Sequence, residues 1–544
     1  MKAVLGIAGS RHSATAALSV DDRLVAAASE DSFIRVAGIG YAQTGGFPTF
    51  AAEACLERAG LIVTDVNELA VVNDLAVVND RDETRGNGEG PEHTWPARAA
   101  SRSVKSIDPV QADAMQAAAS GRGAGPVLVF GIDPPTIIAF TTCETDLRCL
   151  GRVSGCEQLA SAAGELARAL GCTDRDPYRS LDLVGAGGEP EFLEAWTAAI
   201  GWRAPMVLSV SLERITALVR GLSADLPGGL ADAATPNVHA QGRRRALAAS
   251  FMARIADLVS DVVEQLLESA GHATVKLGGG LFEHPRLNTR IKHRFGDRVS
   301  FAAIPGERGR AIGASLAGSP ASAGDLGGLA LGPLFSEDDI KATLENCRLD
   351  YVYEPDWRRL LVRVSKMLSR GMAVGWFHGP AGFGPRSLGT RSILCDPSTP
   401  YARENMNAYL RKVPVGEPLP VSMTPAMADQ CLVDSVRSPY MLFDAPVRDS
   451  ARARVRAALD HQHHVFIHTV TVDQAPQLCE LLDTHAERTD VPGLINVNLS
   501  GPGEPTACTP RDAVRTFFAS ATDALVIGRF LLMKDYWLLR NNVD

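Results

Sequence analysis

Short apolar runs broken by turns open the chain. Lys2–Ala8 ends at Gly9 and predicts a first strand; Ala14–Val20 and Leu24–Ser29 predict the next two, joined by a turn at Asp21 and Asp22. Phe50–Ala59 carries apolar residues at helical spacing and stops at Gly60, which predicts a helix and its C-terminal cap. Pro126–Phe130 and Thr274–Leu277 read as strands, and Leu247–Ala270 as a long amphipathic helix closed by Gly271. In the last third, Trp357–Leu368 has helical spacing and Ala373–Phe377 reads as a buried strand, with another strand in Phe466–Val470. Thr509 and Pro510 followed by Asp512 make a helix start, and Ala524–Gly528 is expected to be the last buried strand.

Residues 69–80 are the tandem LAVVND-LAVVND. One copy suffices for a strand; the second extends it, forms an edge, or is a harmless duplication, since six residues do not make a solenoid. Asp80–Trp95, rich in Asp, Glu, Gly and Arg, reads as a surface loop, and Gly318–Gly332 as a turn-rich linker. A chain of 544 residues exceeds one ordinary core, so two or more domains are expected, with a boundary near residue 330.

Composition narrows the class. The chain is 46% hydrophobic and 22% charged, ordinary for a soluble globular protein, and its net charge of −9 argues against a general nucleic-acid or membrane-surface binder. No uninterrupted apolar span is long enough for a bilayer. Arg11 and His12 interrupt the apolar start, which speaks against a signal peptide and for a cytoplasmic protein. Ten cysteines without C-x-x-C spacing predict reduced, mostly buried thiols and no structural zinc site.

Candidate chemistry concentrates in Ala373–Pro397, where an apolar run breaks into a loop holding Gly379, Gly382, Gly384, Gly389, Arg386 and Arg391, with Ser392 following. Glycines let backbone approach an anion, and guanidinium forks match phosphate or carboxylate. The competing reading is a structural turn whose arginines pair with core carboxylates. Gly278, Gly279 and Gly280 follow a predicted strand and suit a tight strand-to-helix turn. His12 is either a base, suited by a pKa near neutrality, or a packed turn residue. His461, His463, His464 and His468 read as a solvated turn plus one strand histidine rather than a metal site.

FGPRSLGTRSIL in that stretch resembles FGPRALGNRSIL, a signature of the NodU/CmcH-type O-carbamoyltransferases of nodulation-factor and antibiotic biosynthesis. GIAGSRHSATAAL is similar to their opening GISxxHDAAAAL, EDSFIR at Glu30–Arg35 to EERFTR, and NVNLSGPGEP at Asn496–Pro505 to NTSFNVRGEP. The resemblance implies an α/β fold of two domains: an actin-like ATPase (TsaD-like) domain over residues 1–330 and a YrdC-like domain over 331–544. It implies that carbamoyl phosphate and ATP form a carbamoyl-adenylate in the second domain. The carbamoyl group then passes to a hydroxyl or amine of a small-molecule acceptor in the first, with His12 as base. It further implies ATP as ligand, with Gly278, Gly279 and Gly280 beside a nucleotide. Arg386, Arg391, Ser392, Asn496, Asn498, Gly503 and Glu504 would lie at the nucleotide or acyl phosphate.

The departures from the family pattern fall on one class of residue. The family's metal-binding histidines align with Pro109, Val110 and Asp113, its aspartate-glycine pair with Phe130 and Gly131, and a later aspartate with Glu307. Asp113 and Glu307 alone keep a carboxylate, so an iron or zinc site is expected to be absent. Phosphate-holding arginines are replaced at Pro420, Ile467 and Pro502, and the family's NTSFN serine by Asn498. Two readings follow: a working transferase, either an O-carbamoyltransferase or a diverged relative using another acyl donor or adenylate; or a catalytically silent member that supports an active paralogous enzyme or serves as a ligand-binding scaffold, with a homo- or hetero-oligomer open to both. Neither involves nucleic acid or membrane.

Overall fold

The structure, a computed structural model, describes the chain apart from residues 10, 74–102, 121–124, 144–145, 173–175, 187, 204–205, 225–237, 271–272, 319–325, 327, 415–416 and 535–544. It divides into two compact units. One joins Met1–Pro109 and Arg308–Ala317 with Ala323–Asp544; the other comprises Val110–Glu307 and Gly318–Ser322.

The first unit opens as expected, with β1 (Ala3–Ala8), β2 (Thr15–Val20) and β3 (Arg23–Ser29) in an antiparallel meander. Asp21 and Asp22 both take positive φ at the turn, a conformation that aspartate tolerates better than most residues. β4 (Glu68–Val72) and β5 (Ser103–Ile107) then add in parallel on the other side of β1, giving the order β3-β2-β1-β4-β5. β4 runs from Glu68 into the first LAVVND copy; the second copy and the Asp80–Trp95 loop lie outside the described residues. The helix Thr49–Ala59 packs on β2 and β3 and ends on Gly60 in the left-handed conformation. Its N-terminal N–H groups are met by the buried Glu30 carboxylate, which accepts from Ala51 at 2.7 Å and Phe50 at 3.3 Å. Burial pushes that carboxyl up and these two bonds oppose the push.

The short helix Arg310–Ser315 lies against β1, β2 and β4, and the contact explains Gly6. A Cβ there would stand 2.2 Å from the Ala311 carbonyl and 2.4 Å from the Ser315 nitrogen.

The second unit repeats this plan. β6 (Val127–Gly131), β7 (Thr136–Cys143) and β8 (Asp146–Arg152) form an antiparallel meander. The hairpin β9 (Ile200–Arg203) and β10 (Val207–Val210) stands apart, and β11 (Val275–Gly278) and β12 (Val299–Phe301) then add in parallel beside β6. The order β12-β11-β6-β7-β8 is the first sheet's topology again: three antiparallel strands, then two parallel ones returning beside the first. The long helix spans Val238–Ala270, beginning nine residues before the expected Leu247; Gly271 lies outside the described residues. It packs against the helices Pro177–Val184, Leu193–Ala199 and Pro285–Phe295, with Tyr178 and Trp196 against Phe251.

The rest of the first unit is built on a nine-stranded mixed sheet. Its strands are β13 (Val352–Tyr353), β14 (Val374–Phe377), β15 (Arg391–Cys395), β16 (Pro420–Met423), β17 (Phe443–Pro446), β18 (His464–Thr469), β19 (Leu494–Asn498), β20 (Ala524–Ile527) and β21 (Phe530–Met533), ordered β13-β21-β20-β14-β15-β19-β16-β18-β17. β20 is not the last strand: Gly528 turns it into an antiparallel hairpin with β21, whose FLLM is too short an apolar run to stand out. Thr509 and Asp512 form the expected capping box at the helix Pro510–Ala519. The helices Trp357–Ser369 and Pro476–Thr489 pack together over a buried chain in which Ser365 Oγ meets His485 Nδ1 at 3.0 Å and His485 Nε2 meets Asp396 at 3.2 Å. This polar core stays inside because each member is satisfied.

Gly6→Ala should destabilise the first unit by more than about 3 kcal/mol, because the added carbon meets backbone that cannot step aside. Thermal melting of the purified chain checks this; an unchanged midpoint would show that the helix Arg310–Ser315 does not seat on β1.

Candidate functional site

The glycine- and arginine-bearing segment is a thirteen-residue connection, 378–390, between the antiparallel strands β14 and β15. Arg391 is the first residue of β15 rather than part of the loop, and its side chain folds back beneath it. Only 2% of it is exposed. Nη1 donates to the carbonyls of Thr390 at 2.8 Å, Gly379 at 3.0 Å and His378 at 3.1 Å, and Nε reaches the Cys508 carbonyl at 3.4 Å. The guanidinium carbon stands 3.5 Å from the centroid of the Phe377 ring. Burial pulls its pKa down to about 9, leaving it charged at neutral pH. No carboxylate among the described residues pairs with it. Taking an ion out of water costs several kcal/mol, which the carbonyl bonds and the ring face offset here. Nη2 remains buried without an acceptor among the described residues.

The other predicted residues gather around this clamp. Ser392, fully buried, shares a 2.7 Å hydroxyl contact with Ser387. Asn498 accepts from the Ser387 N–H at 2.7 Å and donates to the Pro385 carbonyl at 3.0 Å, pinning the middle of the loop. Asn496, two residues earlier on β19, donates to Ser422 at 2.9 Å while its side-chain Oδ1 has no donor among the described residues. Arg386 lies with its guanidinium 4.3 Å from the Phe466 ring centroid. Glu504 accepts from Arg515 and stands 3.6 Å from Arg35, and Gly503 precedes it with positive φ.

Two contributors were not singled out from the sequence. Arg35 donates to the carbonyls of Pro505 and Thr506, both at 2.8 Å, and lies 3.7 Å from Asp512. It thus holds the loop whose Cys508 carbonyl holds Arg391. EDSFIR marks its place, but nothing local says that its partner lies some 470 positions away. The second is Ser422, whose hydroxyl bridges Asn496 and the buried His468 at 2.9 Å each. The histidine cluster splits accordingly. His461 and His463 lie in the turn, but two histidines rather than one belong to β18: His468, and His464, which meets Asp444 at 3.0 Å.

The remaining candidates lie elsewhere. His12 is partly buried in the bend between β1 and β2, beside Ser13 with φ of 50°. In the second unit, Gly278 ends β11 and Gly279 has φ of 96°; a Cβ there would stand 2.4 Å from the Phe130 carbonyl. The turn then leads through Gly280–Glu283 into the helix Pro285–Phe295, the strand-to-helix passage expected. The residues present do not fit a family-type metal site. Pro109 and Val110 offer no donor, and Asp113 is buried in the helix Pro109–Ser120. Glu307 heads a short turn, and among the described residues no three His, Cys, Asp or Glu side chains stand together to hold an ion. Among those residues, too, no helix is long and apolar enough to cross a membrane.

Residues 365–534 match the family model described as carbamoyltransferase C-terminus. The chain is 26% identical to the nodulation protein NolO of Bradyrhizobium diazoefficiens over 68% of each chain. It is 33% identical to the nodulation protein NolNO of Sinorhizobium fredii over 32% of this chain and 26% of that one. It is 29% identical to the 3'-hydroxymethylcephem-O-carbamoyltransferase of Amycolatopsis lactamdurans over 26% of each. The last two matches therefore span about a quarter of those relatives' own length. Likeness to solved structures is slight. The activator of 2-hydroxyisocaproyl-CoA dehydratase from Clostridium difficile aligns over 58% of this chain and 93% of its own, at TM-score 0.34 and 12% identity, too low to carry an argument.

His378 and His468 tie this region to pH. Burial pulls both imidazoles down to about 3, with Arg391 adding to the effect at His378. Unfolded, each takes a proton near its ordinary value of 6.5; folded, it does not, so stability is full above that value and falls as pH drops towards 3. The slope is about 1.4 kcal/mol per histidine per pH unit, or roughly 4 kcal/mol for the pair between pH 7 and pH 5. Urea unfolding followed by tryptophan fluorescence should show it, since Trp376 lies 4.0 Å from the His378 ring. His378→Phe should about halve the slope; a midpoint indifferent to pH would contradict the buried neutral assignment.

Proposed function

We propose, of a chain that belongs to the NodU/CmcH-type carbamoyltransferase family, that it moves a carbamoyl-type group from an ATP- and carbamoyl-phosphate-derived intermediate to a hydroxyl or amine of a small molecule. The transfer belongs to natural-product biosynthesis. Residues 331–544 would be the YrdC-like part that activates the group, and residues 1–330 the TsaD-like, actin-like part that transfers it. The repeated strand order of the two five-stranded sheets supports the second assignment, because a duplicated meander with two parallel returns is what such a fold requires.

The observation carrying the reading is Nη2 of Arg391, a buried cationic donor without an acceptor among the described residues, beneath the glycine loop. Asn496, whose side-chain Oδ1 also lacks a partner among those residues, lies on the neighbouring strand β19. Buried polar groups in folded proteins are almost always paired, so unused capacity beside such a loop points to a polar occupant. An acyl phosphate would take its donors from Arg391, Arg386 and the loop amides, with Ser392, Asn498, Gly503 and Glu504 shaping the walls. Gly278, Gly279 and Gly280 would let a nucleotide approach backbone, and His12 would take the acceptor's proton. No step runs through a metal ion.

A second reading, that the chain is silent and supports an active paralogue, is favoured by a different observation. Arg391 commits Nη1 and Nε to carbonyls, and Arg386 lies over a ring, so little cationic charge is left for a polyanion. One assay separates the two. With ATP, the protein should release AMP and pyrophosphate only when carbamoyl phosphate is present. The rate should be about two to three orders of magnitude below that of an enzyme with intact electrostatic stabilisation. His12→Ala should leave that release intact and abolish transfer to an acceptor. No release above the ATP-only control would establish the silent reading. Elemental analysis of the purified protein should find no stoichiometric iron or zinc, and finding either would overturn the metal-free assignment.

A further inference from the structure

The tandem LAVVND-LAVVND is a motif that the proposed function leaves unused. Its first copy supplies an inner strand of the sheet β3-β2-β1-β4-β5, where β4 pairs in parallel with β1 on one side and β5 on the other. The likeness extends beyond the six repeated residues. Residues 66–73 read VNELAVVN and residues 72–79 read VNDLAVVN, so a shift of six positions changes only Glu68 to Asp74.

Each contact that anchors β4 has a counterpart six residues on. Val66, Leu69, Ala70 and Val72 are buried, and the shift brings Val72, Leu75, Ala76 and Val78 to their places. Asn67 accepts from the Ala3 N–H at 2.6 Å and donates its own N–H to the Ala3 carbonyl at 2.8 Å; Asn73 is its counterpart. Asn73 donates to the Ile107 carbonyl at 3.0 Å and to Ser106 Oγ; its counterpart is Asn79. At the one position that differs, Glu68 Oε1 is buried without a hydrogen-bond partner among the described residues, so a shorter carboxylate gives up no bond from that oxygen. Because six is even, every side chain keeps its face of the sheet. The turn Val63–Asp65 need not move: residues 66–71 leave the sheet as an insertion after it, and the connection to β5 shortens by the same six. Changes in loop length of this size shift a population by only about twofold.

We propose that β4 is degenerate: either copy fills the place between β1 and β5, and the chain exchanges between two registers six residues apart. β1 and β4 run parallel, so the exchange moves six residues from the sheet edge that carries the His12 bend to the opposite edge. Nothing in this depends on carbamoyl chemistry. A buried charge placed in one copy at a time tests it. Ala70 lies opposite Gly6, on the face that the helix Arg310–Ser315 covers, where a glutamate side chain finds no room. In urea titrations Ala70→Glu should lower the folding constant by about threefold and Ala76→Glu by less than about twofold, since each leaves one usable copy. The two together should lower it by about a thousandfold or more, as an unpaired charge in a packed core does. In hydrogen exchange, Ala70→Glu should protect residues 75–79 and release 69–73, Ala76→Glu should do the reverse, and in the unaltered chain both segments should exchange at rates between those limits. Ala70→Glu as damaging as the double variant, no protection of 75–79 in it, or full protection of 69–73 in the unaltered chain would overturn the proposal.

Discussion

A guanidinium sealed away from water, with no carboxylate partner among the described residues, is the constraint on which the C-terminal half of this chain depends. Arg391 can remain there only because the loop 378–390 bends its carbonyls onto Nη1, Phe377 offers its ring face, and Cys508 supplies a further oxygen. Each contribution requires a different segment to be in place. Cys508 sits in a loop that Arg35 holds from the N-terminal sheet's side, so the clamp reaches across some 470 positions of sequence. A charge buried on these terms makes the surrounding loops cooperative, since moving any one of them leaves the ion under-served.

The two five-stranded sheets illustrate a second economy of design. The same order of strands is reached from unrelated strings of residues, because the requirement at each position is only an apolar side chain of suitable size and direction. Where backbone must approach backbone, the tolerance vanishes. Gly6 lies under the helix Arg310–Ser315, and Gly279 lies on the Phe130 carbonyl. The first marks where a sheet meets its covering helix, the second where the turn after β11 presses on the neighbouring strand β6.

Set against the carbamoyltransferase pattern it resembles, the chain carries the loop-shaping glycines, while Pro109, Val110, Pro420 and Pro502 stand at positions where that pattern has ion-holding side chains. Asn498 stands where a family serine is expected, and it pins the loop from both sides. Arg386 and Arg391, which survive, both make structural contacts, one over the Phe466 ring and the other with the loop carbonyls. Ser422 and His468 add a neutral polar layer behind Asn496, where a charge would be costly unless paired.

Much of this was legible in the residues alone. Strand and helix positions, the Gly60 and Thr509 caps and the strand-to-helix turn at Gly278–Gly280 follow from periodicity and local backbone preference, which depend on neighbours within a few positions. That Pro109 and Val110 offer no metal donor is also read directly from the residues, because a side chain without a lone pair cannot ligate in any fold. What the sequence could not reveal was partnership. Whether Arg391 points to solvent or turns under its own loop, whether Arg35 reaches Pro505, and whether Arg308 stands beside Asp31 depend on which distant segments are brought within about 3 Å. Hydrogen bonds and ion pairs are short-ranged in space and indifferent to separation along the chain, so only the folded arrangement decides them.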